Sequence, residues 1–156
     1  MRLTAQRILV EHLRDDRAKD KGSTDPASPR FWPDIRLDLT GATLIDFRLV
    51  KGATAEAHFS GATFIGKARF TGATLGALLD EATIDDFMFD ETTVSGALFD
   101  GATFGGDASF DGATFGGGAS FDGAIFGGDT NFKATFISYA DFSEAAFIGR
   151  DSSKSV

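Results

Sequence analysis

A bulky apolar residue recurs about every five positions through most of this chain, and this spacing constrains the fold more than any other feature. Five segments of the form Gly-Ala-Thr-Phe or Gly-Ala-Thr-Leu align in one register. That register gives 22 central positions, of which fourteen are Phe, and Ala lies two residues before seventeen of them. The central positions are 39, 44, 49, 55, 59, 64, 70, 75, 79, 84, 89, 94, 99, 104, 110, 115, 121, 126, 132, 136, 142 and 147.

A five-residue period fits neither a regular helix nor a straight strand. On an α-helix each step of five rotates the side chain by about 500°, and on a strand an odd step moves it to the opposite face. Neither element buries all the central residues. The backbone must therefore turn a corner once per repeat, so that the central residue and the Ala before it both point inward.

The residues between the centres are typical of such corners. Gly is the third residue of a four-residue turn at several repeats, where a type II turn requires positive φ. These glycines are Gly41, Gly61, Gly72, Gly101, Gly112 and Gly123. Asp80-Glu81, Asp85-Asp86 and Asp90-Glu91 lack the glycine, so type I turns are expected there. Six-residue steps such as Phe104 to Phe110 carry one extra residue, which predicts a bulge at a corner.

These residues resemble the pentapeptide repeat family, whose pattern is Ala, a small polar residue, Leu or Phe, and two variable positions. The resemblance covers residues 37–149 and implies an all-β fold: a right-handed quadrilateral β-helix with four repeats per coil and about 5.5 coils. Some positions depart from the pattern, and we expect local distortion near them. Phe47, Phe87, Thr92 and Thr130 replace the inward Ala, and Ala55 underfills a centre.

Composition excludes several classes of protein. The 156 residues include no Cys, so disulfide frameworks, zinc ribbons and thiol catalysis are excluded. No apolar run approaches the 18–20 residues of a membrane span, and the start does not resemble a secretory signal, so a soluble cytoplasmic protein is expected. From Phe70 to Phe132 there are eleven Asp or Glu and no Lys or Arg, which argues against direct nucleic-acid binding.

The two ends differ from the body. Residues 1–36 are interpreted as an amphipathic helix over 3–14 that covers the first coil, followed by a linker, with Phe31-Trp32-Pro33 plugging the mouth of the column. Residues 150–156 are predicted to be a disordered tail. The last coil has no apolar segment to cover it, and an uncovered edge invites pairing with a second copy, end to end, or fraying.

The acidic residues supply the one candidate interaction surface. With four repeats per coil, acidic side chains stack in columns along three corners, and the fourth corner is nearly uncharged. The candidate partner-binding residues are Asp80, Asp100 and Asp122 on one corner, Asp85 or Asp86 with Asp107 and Asp129 on the next, and Asp90 or Glu91 with Asp111 on the third. Solubility and the preference of Asp-Gly for turns explain such columns as well.

Enzymatic groups are scarce. His12 and His58 are both expected at the surface, and the carboxylates from Asp85 to Glu91 match no known calcium-loop spacing. We therefore expect no catalytic, cofactor or metal site. The resemblance to bacterial pentapeptide proteins implies a non-catalytic protein-interaction or scaffold module. The alternative is an acidic rod that imitates duplex DNA and inhibits or protects DNA gyrase, as some members of the family do.

Overall fold

The computed structural model describes residues 3–14 and 32–149, which form one helix and sixteen short strands. The interpretations placed on most of the linker and on the tail at 150–156 lie outside the described residues. The elements are α1 (Leu3–Leu13), β1 (Arg36–Asp38), β2 (Thr43–Ile45), β3 (Ala53–His58), β4 (Thr63–Arg69), β5 (Thr74–Leu78), β6 (Thr83–Met88), β7 (Thr93–Leu98), β8 (Thr103–Phe104), β9 (Ala108–Ser109), β10 (Thr114–Phe115), β11 (Ala119–Ser120), β12 (Ile125–Phe126), β13 (Thr130–Asn131), β14 (Thr135–Phe136), β15 (Ala140–Asp141) and β16 (Ala146–Phe147).

The strands form a parallel β-solenoid of about six turns. Leu44 is opposite Phe64, which is opposite Ile84, and Ile84 is opposite Phe104, so the chain passes the same point every 20 residues. The two glycine-rich coils above are slightly longer. Four repeats per coil are therefore confirmed, and so is the all-β fold with one short N-terminal helix.

Two kinds of corner alternate around each coil. At two corners the chain makes a tight turn, as where the Ala102 N–H donates to the Phe99 carbonyl at 3.0 Å. At the other two corners the strand only bends: β6 crosses one with Ile84 and Phe87 both inward. Each sheet therefore covers two faces of the solenoid, and the tight turns join the two sheets.

The turn glycines are confirmed, but all three of the expected type I turns are wrong. All six glycines predicted to need positive φ have values between 63° and 68°. Glu81 and Glu91, at φ 55° and 53°, adopt the same left-handed conformation without being glycine. The neighbouring coil imposes it, since the Glu81 N–H donates to the Asp100 carbonyl just as the Gly61 N–H donates to that of Asp80. Asp85 and Asp86 form no turn and lie within β6.

Replacing Glu81 and Glu91 by Gly should stabilise the solenoid. A left-handed residue with a Cβ costs roughly 1–2 kcal/mol, while Gly loses about 0.5–1 kcal/mol more backbone entropy on folding. We expect a net gain of about 0.5–1 kcal/mol per site in the free energy of unfolding, measured by urea denaturation. A matched Glu56→Gly change, within β3 at ordinary φ, should be destabilising; stabilisation by all three would contradict the conformational explanation.

The extra residues of the longer coils lie at the bend corners, as the sequence predicts. Phe104 is opposite Ile84 and Ala108 is opposite Phe87, so three residues face two. Gly105 and Gly106 lie in this bulge. The neighbouring coil approaches Gly106 so closely that a side chain would not fit there. A Cβ on Gly106 would lie 2.7 Å from the Asp85 carbonyl oxygen.

The interior is a column of phenylalanine rings. Twelve Phe side chains are almost completely buried, including Phe47 and Phe87 at positions where the pattern has Ala. Thr92 is also buried, and its hydroxyl donates to the Phe70 carbonyl at 2.8 Å. The assignment of Ala55 as a centre is wrong: Ala55 is exposed and Thr54 is buried, following the Ala53–Thr74 pair. With Thr54 as the central residue, the spacing from Leu49 to Thr54 and from Thr54 to Phe59 is five residues in each case.

The helix α1 covers the first coil, and Trp32 does not plug the column. Leu13 is fully buried in the core, and the Gln6 side-chain amide donates to the Ile45 carbonyl at 3.2 Å. Trp32 is 42% exposed and stacks on His12 with ring centroids 4.0 Å apart. Phe31 lies outside the described residues.

Candidate interaction surface

One acidic column follows a tight-turn corner, where Asp precedes the positive-φ residue of each turn. Asp80, Asp100 and Asp122 stack there as predicted. The Ser60 hydroxyl donates to Asp80 Oδ1 at 2.6 Å, and Ser120 donates similarly to Asp100. The Asp122 N–H also donates to Asp100 Oδ1 at 3.3 Å. Hydrogen bonds from the adjacent coil therefore hold Asp80 and Asp100 in place.

A second column follows a bend corner and contains Asp86, Asp107 and Asp129. The Asp107 N–H donates to Asp86 Oδ1 at 3.2 Å, and the Asp129 N–H donates to Asp107 Oδ1 at 2.9 Å. Asp85 is not part of this column. Its carboxylate points to the coil below and accepts the Gly66 N–H at 2.9 Å.

The third column is shorter: it contains Asp90 and Asp111, and Lys133 occupies the same corner in the next coil. Asp90 Oδ1 accepts both the Ser109 hydroxyl at 2.5 Å and the Asp111 N–H at 3.2 Å. Glu91 is the exposed left-handed residue of the same turn and lies under Gly112. Lys133 occupies this corner in the next coil, where its carbonyl accepts the Gly112 N–H at 2.8 Å.

Charge is concentrated in the upper coils. Residues 79–149 contain thirteen Asp or Glu and one Lys, whereas residues 37–78 carry three acidic and four basic side chains. The fourth corner, with Ser95, Gly116 and Ile137, is uncharged as expected. Stacked like charges repel one another mildly. The hydrogen bonds that backbone N–H groups donate to these carboxylates offset part of that repulsion.

Two carboxylates outside the columns are held ionised by their neighbours. The Thr40 side-chain and backbone hydrogen bonds lower the pKa of Asp38, and those of Ser143 lower the pKa of Asp141. Both groups add negative charge at neutral pH.

The structure also reveals a groove that the sequence does not. It encloses about 350 Å³ on the face between the second and third columns. Lys67 lies at its lower end, Asp107 and Asp129 along one side, and Met88 and Ser109 on its floor. The floor residues occupy the outward position before each centre, so their stacking follows from the repeat.

Both histidines contact a neighbouring side chain. His12 stacks on Trp32, and His58 lies 3.4 Å from Glu56. Within residues 3–14 and 32–149, no three His, Asp or Glu side chains gather closely enough to hold a metal ion.

The comparisons with known proteins agree with the coil geometry. Residues 89–135 match the family model described as pentapeptide repeats, in nine copies. No curated protein matches the chain. Among the described residues, no helix has the length and apolar character to cross a membrane. The same coil continues without a break below and above residues 89–135, so the matched pentapeptide repeats are part of one solenoid within the described residues.

Proposed function

We propose that this solenoid is a non-catalytic protein-interaction module whose acidic columns bind a basic surface of a protein partner. The observation that carries the proposal is the set of three carboxylate columns held by hydrogen bonds from adjacent coils. A rigid array loses little side-chain entropy on binding, and its field steers a basic partner.

Neutralising one column should weaken partner binding without unfolding the solenoid. The variant is Asp80→Asn, Asp100→Asn and Asp122→Asn together, because Asn retains an oxygen to accept the same hydrogen bonds. We expect an unchanged circular dichroism spectrum and about tenfold weaker binding at low salt for a partner that uses this column. Purified partners captured from native cytosol are measured by titration calorimetry at two salt concentrations.

A matched control removes three carboxylates outside the columns. Asp34→Asn, Asp38→Asn and Glu56→Gln change the net charge equally, and a partner that binds the columns should bind this control like the original chain. Equal weakening by both triple variants would indicate a response to net charge alone, and loss of the fold in the column variant would show that these carboxylates are structural.

A second candidate function is imitation of duplex DNA toward DNA gyrase. Residues 79–149 carry a net charge of −12. They span about 16 Å of solenoid axis at the usual 4.8 Å spacing between strands. That is one charge per about 1.4 Å, close to the one per roughly 1.7 Å of double-stranded DNA. A supercoiling assay with purified gyrase and micromolar protein tests this function. Inhibition or protection of gyrase that is lost in the column variant would support DNA mimicry, and no effect would exclude it.

A further inference from the structure

The groove between the second and third columns combines a largely apolar floor with carboxylates on both sides. Met88 and Ser109 stack on the floor, in register on neighbouring strands. Asp107 and Asp129 line one side. On the other side the Ser109 hydroxyl donates to Asp90, so the third column borders the groove. Its volume of about 350 Å³ is large enough for a few side chains of a ligand.

The carboxylates beside the groove each keep one oxygen available. Asp86 and Asp107 accept backbone N–H groups on Oδ1. Among residues 3–14 and 32–149, no group donates to the second oxygen of either carboxylate, or to that of Asp90. Arginine suits such a site, because its methylene stem packs on apolar surface while its guanidinium offers several donors to carboxylates.

The lower end of the groove has the opposite charge. Lys67 lies there, and Arg69 is paired with Met88 in the strand register. Arg69 Nε is buried and has no hydrogen-bond partner in the described part of the chain. Neither Lys67 nor Arg69 forms an ion pair within the same residues. Since a buried donor without an acceptor is costly, an oxyanion at this end would supply what these two side chains lack.

The distance between the two charged regions restricts what can fill both. Lys67 is paired with Asp86 in the next coil, and Asp107 lies one coil above Asp86. Two coils correspond to about 9.6 Å at the usual spacing of about 4.8 Å between strands. An extended peptide rises about 3.1–3.4 Å per residue, so about three residues span this distance.

We propose that the groove binds an extended segment of a partner protein that carries an arginine about three residues from an acidic residue. The arginine lies between the two columns and reaches Asp107, and the acidic side chain reaches Lys67 and Arg69. This inference rests on the proposed function, because it specifies the part of the basic partner that the columns bind. It adds a charge pattern, since a purely basic segment would be repelled by the two cations at the lower end.

Two synthetic peptides of equal composition test this pattern on the full chain. The first is acetyl-Glu-Ala-Ala-Arg-amide, and the second is acetyl-Ala-Glu-Arg-Ala-amide, in which the charges are adjacent. Nuclear magnetic resonance follows binding through the backbone amide signals of Met88, Ser109 and Asn131. We expect the first peptide to shift these signals with a millimolar dissociation constant. The second should bind about three- to fivefold more weakly, as expected for the loss of one exposed ion pair.

Matched substitutions separate the groove from the rest of the acidic surface. Asp107→Asn removes one charge from the groove but keeps an oxygen for the Asp129 N–H. Asp85→Asn makes the same change on a carboxylate that points to the coil below. We expect Asp107→Asn to weaken binding of the first peptide about three- to fivefold and Asp85→Asn to leave it unchanged. Lys67→Gln should also weaken the first peptide, but not acetyl-Ala-Ala-Ala-Arg-amide.

Three results with these peptides would overturn the proposal. They are the absence of any shift at about 10 mM of the first peptide, equal binding of the two isomers, and equal weakening by Asp107→Asn and Asp85→Asn. Spermidine provides a purely cationic probe. If spermidine shifts the same signals more strongly than the first peptide does, the groove is a site for cations alone, which also overturns the proposal.

The outcome is distinguishable from that of the proposed function. If the peptides fail to bind but the triple variant of Asp80, Asp100 and Asp122 still weakens a purified partner, only the groove proposal is overturned. If the first peptide binds as expected but no partner responds to loss of either column, the groove proposal is supported and the proposed function fails.

Discussion

Replacing Phe110 by Ala is expected to lower the free energy of unfolding by about 3–5 kcal/mol. Phe110 is fully buried in the middle of the column. It stacks on Phe132 at 4.6 Å and meets Phe99 and Phe121 edge to face at 5.8 and 5.6 Å. The cavity cannot collapse easily, because hydrogen bonds to the coils on either side fix the backbone. Urea denaturation followed by circular dichroism measures the change.

The control for this substitution is Ile65→Ala. Ile65 is also large and apolar, but it points outward from β4 and is 46% exposed. Its truncation should cost no more than about 1 kcal/mol. If Phe110→Ala also cost less than about 1 kcal/mol, the rings would not form the stabilising core that the structure shows.

Replacing Gly117 by Ala is expected to destabilise the solenoid by about 3 kcal/mol, the upper part of the range for overpacking. A Cβ at Gly117 would overlap the Ser95 carbonyl oxygen and lie 2.9 Å from its carbon. These atoms belong to the neighbouring strand, so relief requires two coils to separate. The free energy of unfolding from the same denaturation measurement tests this.

Gly116 provides the matched control one residue earlier. Its Cβ would lie 3.5 Å from the Val94 carbonyl oxygen, which is an ordinary contact. Gly116→Ala should therefore change stability by less than about 1 kcal/mol, with a slight gain from the reduced entropy of the unfolded chain. Equal effects at both glycines would mean that the close approach of the coils at Gly117 is not what requires glycine.

The acidic columns show which part of the surface could be predicted by counting along the chain. Asp80, Asp100 and Asp122 follow central residues one coil apart, so their stacking required only the number of repeats per coil. The choice between Asp85 and Asp86 could not be made in this way. It depends on the bulge above, which sets Asp107 over Asp86 and leaves Asp85 to accept a hydrogen bond from the coil below.

The sequence by itself determined the coil, the inward residues and the glycine turns, because a five-residue period with alternating large and small apolar side chains has few backbone solutions. Only the tertiary structure decided the conformations of Glu81 and Glu91, the burial of Thr54 in place of Ala55, and the position of Trp32 on the outside of α1. The conformations of Glu81 and Glu91 and the burial of Thr54 depend on the hydrogen-bond register with adjacent coils. The position of Trp32 depends on its packing against the helix. Both are contacts between residues distant in the sequence, which a local pattern does not specify.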